Sequence, residues 1–582
     1  MRVPIRVAAV MLLVLHAGLL AWAAARQAPT YDEVAWLPAG ICHWQLGRFD
    51  LGRVNPPLPR MIAALPVLAV GAQTDWTRFS GEPGSRAEFA VGRDFMQANG
   101  PRSFWLFTLA RWASIPFSLL AGWVCYSWGT HLYGRGAGLM SLVLWCFSPI
   151  VLANAGLVTA DVPSAALGLT ATYSFWRYLH RPRISAAVGA GVLLGLAELT
   201  KTTLLAWYLV WPMLWAARHR RQDTDAPGRV AKWYDLLLIA VISLYVMNLG
   251  YWFEGSFTKL DRLQFVSHAL AGDGRGLGWG NRFSGTALGE LPLPLPVNHL
   301  LGIDQVKAQF ELGSPTYLRG RWKHGGWWYY YVYALVVKTP LGTWLLAILA
   351  LAATMLARGY RADWRDELTL LLPPCAILVF VSSQTGFATM RYLLPAAPFA
   401  FIWMGKLARA VEIRHRVLAK VALFALSWTV TSSLAVYPHS LAYFNELGGG
   451  PLGGPAHLVD SNIDWGQDLL YLKRWIERHP GARRLHVAYS GLVDPRLAGI
   501  EFKLPKKAPA AGAHELGNQS FVEPGWYAIS VNVLRGLPAA IPDGQGGWQG
   551  AATGDYAYFR DYDPVARAGY TIYIYHFDEG RH

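Results

Sequence analysis

Two adjacent carboxylates follow the first long apolar run of the sequence. Asp32 and Glu33 lie in Thr30–Val34, a few residues after the apolar stretch Val7–Ala25. A carboxylate in this position can reach a bilayer surface and act as a general base, taking a proton from a hydroxyl group. The same residues also suit a helix start that Thr30 or Asp32 caps. Taken alone, the pair favours the capping interpretation.

A third acid, Asp161, stands within the apolar segment Leu157–Pro163. Pro163 suits the first turn of a helix, so capping is again the plain alternative. Asp161 is the only charged group of its turn, and the topology derived below puts it on the same side of the membrane as Asp32. Because ionisable groups near membrane depth are costly, this shared side predicts that both carboxylates belong to one site.

Three cations stand alone in apolar surroundings. They are Lys201 in Leu199–Thr203, Lys338 in Leu335–Pro340 and Arg391 at the start of Arg391–Pro395. Phosphate is a natural partner, since Arg binds it through a planar fork and Lys as a point charge. The alternative is that these side chains extend to the membrane interface. That alternative suits Arg391 better than Lys338, which lies well inside a long apolar run.

Two polar segments carry weaker patterns. In Arg53–Leu58, the residues Asn55, Pro56 and Pro57 predict a rigid turn before the short apolar run Met61–Ala72. In Leu458–Leu470, three acids at four-residue spacing resemble a cation site, but helix capping with a docked tryptophan explains them better. The three acids are Asp460, Asp464 and Asp468.

Composition shows which elements must position these groups. The 582 residues are 53% apolar and only 15% charged, against about 25% charged in soluble domains. Lipid is therefore the predicted main solvent, and disorder is excluded. Eleven apolar runs approach the length of a membrane span. They are Val7–Ala25, Phe107–Trp128, Ala137–Ala155, Val162–Tyr178, Ser185–Leu199, Thr202–Ala217, Asp235–Trp252, Tyr329–Leu356, Glu367–Ser383, Tyr392–Ala408 and Val417–Tyr437.

The positions of Lys and Arg predict the orientation of these spans. With the N-terminus in the cytoplasm, eighteen basic residues fall in short inner segments, and only Lys201 and Arg391 fall in short outer turns. The net charge of +15 is thus a topology signal and does not favour nucleic-acid binding. The first span also has the pattern of a signal peptide. We prefer a retained anchor, because it would hold the following loop at the membrane. The eighteen are Arg2, Arg6, Arg135, Arg177, Arg181, Arg183, Arg218, Arg220, Arg221, Arg229, Lys232, Arg358, Arg361, Arg365, Lys406, Arg409, Arg414 and Arg416.

The predicted architecture is an α-helical polytopic membrane protein of about eleven spans, at residues 1–437, followed by a small extracytoplasmic α/β domain at 438–582. Outer loops are expected at 26–104 and 253–328, and Met61–Ala72 suits a helix in the membrane interface. The final domain is expected to hold a helix and three strands. The helix is Asp464–Arg478, and the strands are Leu485–Tyr489, Trp526–Val533 and Thr571–Phe577.

In their order along the chain, these pieces resemble the GT-C class of glycosyltransferases that use polyprenyl-phosphate sugars, specifically the bacterial group similar to protein mannosyltransferases and aminoarabinose transferases. The resemblance extends to about Leu470, and the domain beyond Asp468 resembles no known family. The matching segments are Tyr31–Glu33, Asn55–Leu58, Thr159–Pro163, Leu199–Lys201, Val337–Pro340, Arg391–Ala396, Asp460–Asn462 and Asp464–Asp468.

The resemblance implies an inverting transfer of a sugar, a hexose or a pentose, from a polyprenyl-phosphate donor to an acceptor hydroxyl at the outer face of the plasma (inner) membrane. Asp32 is then the expected base, Glu33 supports the loop or shares that role, and Asp161 orients the acceptor or the base. Arg391, Lys201 and Lys338 are expected to bind the donor phosphate, while Asn55, Pro56 and Pro57 shape the loop. Many relatives have His where this chain has Asn55, so no metal is predicted, and no cofactor.

Two other classes of protein compete with a transferase. A transporter or flippase of polyprenyl-linked glycans would also keep charges inside spans, but it should show inverted repeats, which the sequence lacks. A non-catalytic membrane scaffold would tolerate substitution at Asp32 and Asp161. No GxxxxGK[ST], HExxH or GxSxG motif is present, so an ATP-driven pump, a zinc protease and an ordinary serine hydrolase lack support. The acceptor stays open among protein Ser or Thr, lipid A and an envelope glycan.

Overall fold

The structure is a computed structural model that describes residues 4–219, 231–272, 278–384, 388–482, 485–508 and 522–578. Four of the predicted inner basic residues, Arg2, Arg220, Arg221 and Arg229, lie outside these ranges. The described residues are mainly helical. Their α-helices are Ile5–Ala24, Tyr31–Leu46, Leu58–Ala69, Ala87–Asn99, Ser103–Tyr133, Arg135–Phe147, Pro149–Asn154, Asp161–His180, Ile184–Glu198, Trp207–His219, Trp233–Gly250, His268–Ala271, Val297–Leu312, Tyr330–Lys338, Leu341–Leu356, Trp364–Ser383, Ala397–Gly405, Arg409–Glu412, Arg416–Leu434, Gly450–Gly453, Leu469–Arg478 and Val531–Leu534.

Five helical segments of the described chain are long and apolar enough to cross a membrane, or six if one bent pair forms a single span. The eleven predicted spans therefore stay a prediction. Several predicted runs are broken where proline removes a backbone donor: Tyr329–Leu356 bends by 111° at Thr339-Pro340, and Ala137–Ala155 breaks before Pro149. The five segments are Ile5–Ala24, Ala87–Tyr133, Trp233–Gly250, Trp364–Ser383 and Arg416–Leu434.

Charged residues gather at both ends of the helix Asp161–His180. Asp161 forms ion pairs at its first residue, and near its last turn Trp176 donates to Asp366 at 2.9 Å. At 1.5 Å per residue, these ends lie roughly 20–30 Å apart, a distance similar to the thickness of the apolar core of a bilayer. Asp366 also pairs with Arg218 at 3.0 Å, a residue predicted on the cytoplasmic side. This separation agrees with the predicted topology, whose orientation stays a prediction.

The predicted outer loop 26–104 is largely helical. Thr30 and Glu33 form a capping box that starts the helix Tyr31–Leu46. The helix predicted at Met61–Ala72 is found at Leu58–Ala69, because Pro56 and Pro57 set its start. The two helices touch at Gly40, where an added Cβ would lie 2.1 Å from the carbonyl oxygen of Arg60. Only glycine permits this close contact, which places Arg60 directly beside the helix that carries Asp32.

The C-terminal region contains a five-stranded mixed sheet, in which the three predicted strands are present with bounds shifted by a few residues. Leu485–Ala488 runs parallel to Gly525–Ser530, which pairs antiparallel with Ile572–Phe577. Two hairpins lie outside this sheet. In spatial order the sheet strands are Phe502–Lys503, Leu485–Ala488, Gly525–Ser530, Ile572–Phe577 and Ala566–Ala568, and the hairpins pair Pro315–Leu318 with Arg321–His324 and Ala539–Pro542 with Trp548–Ala551.

The helix predicted at Asp464–Arg478 begins five residues later, at Leu469. Gly466 has a φ of +88°, so residues 464–468 form a turn. This turn is attached to the helical part of the protein by main-chain bonds, since Tyr31 and Ala28 donate to the carbonyl oxygens of Trp465 and Gln467 at 2.9 and 3.0 Å. The start of the C-terminal region therefore packs on the loop that presents Asp32.

Candidate active site

Four charged side chains from four separate segments meet in one cluster. Arg391 donates from Nη2 to Asp32 Oδ2 at 3.0 Å and from Nη1 to Asp161 Oδ2 at 3.3 Å. Lys201 Nζ lies 2.5 Å from Asp161 Oδ1. Two acids and two cations thus balance in charge. The structure brings together both carboxylates and two of the three cations that the sequence singled out.

Local structure explains why each group points into the cluster. Asp32 lies in the first turn of the helix Tyr31–Leu46, and Asp161 is the first residue of its helix. Both carboxylates therefore lie at helix N-termini, where the helix dipole favours negative charge. Lys201 is an extended residue between two helical segments, and Arg391 lies in the 3-10 helix Met390–Ala396.

The two carboxylates differ in access. The Asp161 side chain is 3% exposed and both of its oxygens are engaged by cations. The Asp32 side chain is 19% exposed, and only its Oδ2 is bonded by Arg391. Asp32 therefore has an oxygen available to a substrate hydroxyl, whereas Asp161 is arranged to hold Arg391 and Lys201 in position.

Aromatic rings cover the cations of the cluster. Trp465 lies 4.1 Å from the Arg391 guanidinium carbon, measured to the ring centroid, and Tyr392 lies 4.4 Å from Lys201 Nζ. Cation–π attraction of this kind is stronger where water is excluded. Trp465 belongs to the turn at 464–468, so the C-terminal region completes the site rather than standing apart from it.

Glu33 pairs with Arg111 and not with the cations of the cluster, which favours the expected loop-supporting role over a shared role as base. Its carboxylate is fully buried and accepts hydrogen bonds from Arg111, Thr30 and the Val158 amide. Burial raises the pKa of Glu33, but the Arg111 charge and these bonds outweigh it, so the pKa is lowered. The bond from Val158 connects the helix of Asp32 to the loop that precedes Asp161, which supports a structural role.

Lys338 lies outside the ion-pair cluster, beside a neighbouring cavity. Its Nζ donates to the carbonyl oxygens of Leu441, at 2.9 Å, and of Asn462. Lys338 and Arg391 both line this cavity. Two buried polar atoms among its lining residues, Asn154 Oδ1 and Ser440 Oγ, have no hydrogen-bond partner within the described ranges. We call this space the Lys338 cavity. Lys201 is not among its lining residues.

A second cavity lies beside the segments that carry Asp32 and Asp161. Asn55 and Pro56 line it together with Trp36, Arg60 and residues 158–160. Trp36 is one helical turn after Asp32, and residue 160 precedes Asp161. We call this space the Arg60 cavity. Two of the three predicted loop-shaping residues, Asn55 and Pro56, therefore form part of its wall, whereas Pro57 does not line it.

Sequence reasoning missed the residues that hold the two cation-bearing segments together. Asn462 accepts a hydrogen bond from the Met390 amide at 2.9 Å and donates to Tyr330 at 2.9 Å, and Ser461 donates to Thr389. The spacing of the three acids drew attention to the segment Asp460–Asp468, but the capping interpretation assigned no role to the amide side chain of Asn462. Burial raises the pKa of Asp464 in this segment to about 7.

Within the part of the chain that the structure describes, no three side chains of His, Cys, Asp or Glu converge on a common point that could hold a metal ion.

Comparison with known proteins gives one match to a family model. Residues 106–248 match the model described as dolichyl-phosphate-mannose-protein mannosyltransferase. This confirms the resemblance to the GT-C class. Asp161 and Lys201 lie in the matched region, whereas Asp32 and Arg391 lie outside it. No curated protein matches the sequence of the chain.

Among solved structures, the chain is similar to ArnT from Cupriavidus metallidurans, in the apo state and bound to undecaprenyl phosphate. The identity is 12%, the TM-score is 0.46, and 97% of each chain is covered. It is also similar to the oligosaccharyltransferase AglB from Archaeoglobus fulgidus, in complex with an inhibitory peptide and a dolichol-phosphate. That identity is 12% and the TM-score 0.44, with 90% of this chain and 69% of AglB covered.

Proposed function

We propose that the protein is a membrane glycosyltransferase that moves a sugar from a polyprenyl-phosphate donor to an acceptor hydroxyl with inversion at the anomeric carbon. The reaction takes place at the outer face of the plasma membrane, with the N-terminus in the cytoplasm. The observation that carries this proposal is the bridge formed by Arg391 between Asp32 and Asp161. The family match over residues 106–248 supports the same class of reaction.

Asp32 acts as the base in this proposal. Its Oδ1 takes the proton of the acceptor hydroxyl while the hydroxyl oxygen forms a bond to the anomeric carbon. The bond from that carbon to the phosphate oxygen breaks on the opposite side of the sugar, and the polyprenyl phosphate leaves with the electron pair. One displacement inverts the configuration and needs no covalent sugar–enzyme intermediate. Asp161 keeps Arg391 and Lys201 in place throughout.

The leaving phosphate is assigned to the Lys338 cavity. The two acids and two cations of the cluster already balance in charge. A phosphate that gains negative charge as it leaves therefore needs a further cation. Lys338 supplies it, because its Nζ bonds only backbone carbonyl oxygens among the described residues. Arg391 lines the same cavity and stabilises the charge as it develops. Lys201, which does not line it, acts mainly through Asp161.

The proposal is tested by incubating the purified full-length protein with a panel of labelled polyprenyl-phosphate sugars and membrane extracts as the source of acceptor. Consumption of one donor, with release of polyprenyl phosphate and inversion in the product, is expected. Asp75→Asn is the matched control for site variants, because Asp75 lies in the same outer loop and, among the described residues, accepts hydrogen bonds only from Thr77. If no donor is consumed and labelled lipid instead crosses the bilayer of reconstituted vesicles, the protein is a transporter.

A further inference from the structure

Arg60 is a buried cation that the proposed reaction does not use. It is 4% exposed, and no carboxylate of the described residues lies within ion-pair distance of it. In the catalytic cluster Arg391 and Lys201 are neutralised by Asp32 and Asp161, whereas Arg60 forms no ion pair with any described residue. An arginine kept at such a position without an acid is costly unless an anion joins it.

His43 holds the Arg60 side chain in place. Arg60 Nε donates to His43 Nε2 at 2.7 Å, and His43 Nδ1 donates to the carbonyl oxygen of Arg48 at 2.7 Å. Burial and the Arg60 charge keep the pKa of His43 well below its usual value, so the ring is a neutral acceptor. Burial lowers the pKa of Arg60 to about 10, which leaves it charged at neutral pH. The terminal nitrogens of its guanidinium are left for another partner.

The Arg60 cavity contains a second group without a partner. The hydroxyl of Thr159, 3% exposed, has no hydrogen bond within the described ranges, and Thr159 lines the cavity with Asn55 and Trp36. A planar cation, a hydroxyl donor and an amide around one small space are the groups that recognise an oxyanion. Because Trp36 follows Asp32 by one helical turn and Thr159 precedes Asp161 by two residues, this space adjoins the proposed base.

We propose that Arg60, Thr159 and Asn55 form a second oxyanion site, which binds a phosphate or carboxylate group of the acceptor. The inference rests on the proposed function, since it assumes that the donor phosphate occupies the Lys338 cavity. An acceptor bound through its anion at Arg60 would carry its hydroxyl next to Asp32. The acceptor is then an anionic glycan or lipid rather than a neutral one.

Inorganic phosphate serves as the probe, and its binding to the full-length protein is measured by thermal shift and calorimetry at constant ionic strength. Wild-type protein should show a saturable response. Arg60→Gln should weaken phosphate binding by about tenfold or more, as expected for losing a hydrogen-bonded charge. Thr159→Val is the cleaner variant, because it removes a hydroxyl without a partner and should weaken phosphate binding severalfold without lowering thermal stability. Because the Lys338 cavity is itself proposed to bind phosphate, both substitutions are also made in a Lys338→Gln background, which should keep the saturable response of the Arg60 cavity.

Undecaprenyl phosphate is the second probe and separates the two proposals. Its affinity should fall in Lys338→Gln and stay unchanged in Arg60→Gln. A phosphate response that persists when Arg60→Gln and Thr159→Val are each combined with Lys338→Gln would overturn the oxyanion site. If Arg60→Gln instead weakens the binding of undecaprenyl phosphate, the Arg60 cavity binds the donor, and its assignment to the acceptor is wrong. Substitution of Lys338 and of Arg391 could leave the affinity for undecaprenyl phosphate unchanged while Arg60→Gln still weakens the binding of inorganic phosphate. That result would contradict the donor site of the proposed function and support the oxyanion site.

Discussion

Arg391 Nη2 lies 3.0 Å from Asp32 Oδ2 although the two residues are 359 positions apart in the chain. The other terminal nitrogen of the same guanidinium reaches Asp161. One planar side chain therefore fixes the distance between two carboxylates from different helices. The proposed base is presented by this bridge, with one oxygen held and the other left for a hydroxyl.

Arg391→Lys tests the bridge. A lysine keeps the charge but has no planar fork, so it cannot hold both carboxylates at once. We expect the free energy of donor binding to become less favourable by about 2–5 kcal/mol, which is the cost of truncating one member of a desolvated charge pair. Binding of undecaprenyl phosphate and turnover are measured on the folded variant. A lysine variant with wild-type affinity and turnover would show that the second contact of the guanidinium is unimportant.

Glu33→Gln tests whether Glu33 stabilises the fold or takes part in catalysis. The Arg111–Glu33 pair is almost completely buried, with side-chain exposures of 1% and 0%, and breaking such a pair costs about 3–5 kcal/mol. We expect a marked drop in thermal stability, with turnover per folded molecule close to that of the wild type. The thermal midpoint and specific activity of the detergent-purified protein measure both. A Glu33→Gln variant that is stable but inactive would show that Glu33 has a catalytic role.

Lys338→Met removes the ammonium group from the Lys338 cavity while keeping most of the length of the side chain. The affinity for undecaprenyl phosphate should fall by about tenfold or more, because the phosphate loses its only partner that is not already paired with an acid. Lys323→Met, on an exposed strand, is the matched control and should bind normally. Equal affinities for the two variants would place the phosphate elsewhere.

Asp464 makes stability depend on pH. Its pKa is raised by burial to about 7, against about 3.9 in an unfolded chain, so the folded state holds the proton more tightly. The stabilisation is complete below about pH 4 and is lost as pH rises through 7, a change on the order of 4 kcal/mol.

Asp464→Asn lacks this titration. The difference in thermal midpoint between wild type and Asp464→Asn should therefore shift in favour of the Asn variant between pH 5 and pH 8. A difference that stays constant over that range would mean that the Asp464 carboxyl does not titrate in the folded protein.

The sequence was sufficient to predict the members of the cluster, because charge is rare and expensive in apolar surroundings. Asp161, Lys201 and Arg391 each stand alone in their segments, and the predicted topology put them on one side with Asp32. The C-terminal strands were also predictable, since alternating apolar residues in a polar region indicate half-buried strands.

Other features depend on tertiary contacts that no local pattern reveals. The partner of Glu33 is Arg111, a lone cation inside a predicted span, and no local pattern pairs these two residues. Continuous apolar runs concealed the bend at Pro340, because hydropathy does not register a missing backbone donor. The role of Asn462 follows only from the packing of residues 460–468 against Met390.

The central claim is that Asp32 is the base of a sugar transfer, and a single-turnover assay with the cognate labelled polyprenyl-phosphate sugar tests it most directly. Asp32→Asn should bind donor like the wild type, keep its thermal midpoint to within a few degrees, and transfer sugar about a hundredfold or more slowly, while Asp75→Asn transfers at the wild-type rate. Wild-type transfer by Asp32→Asn would contradict the claim.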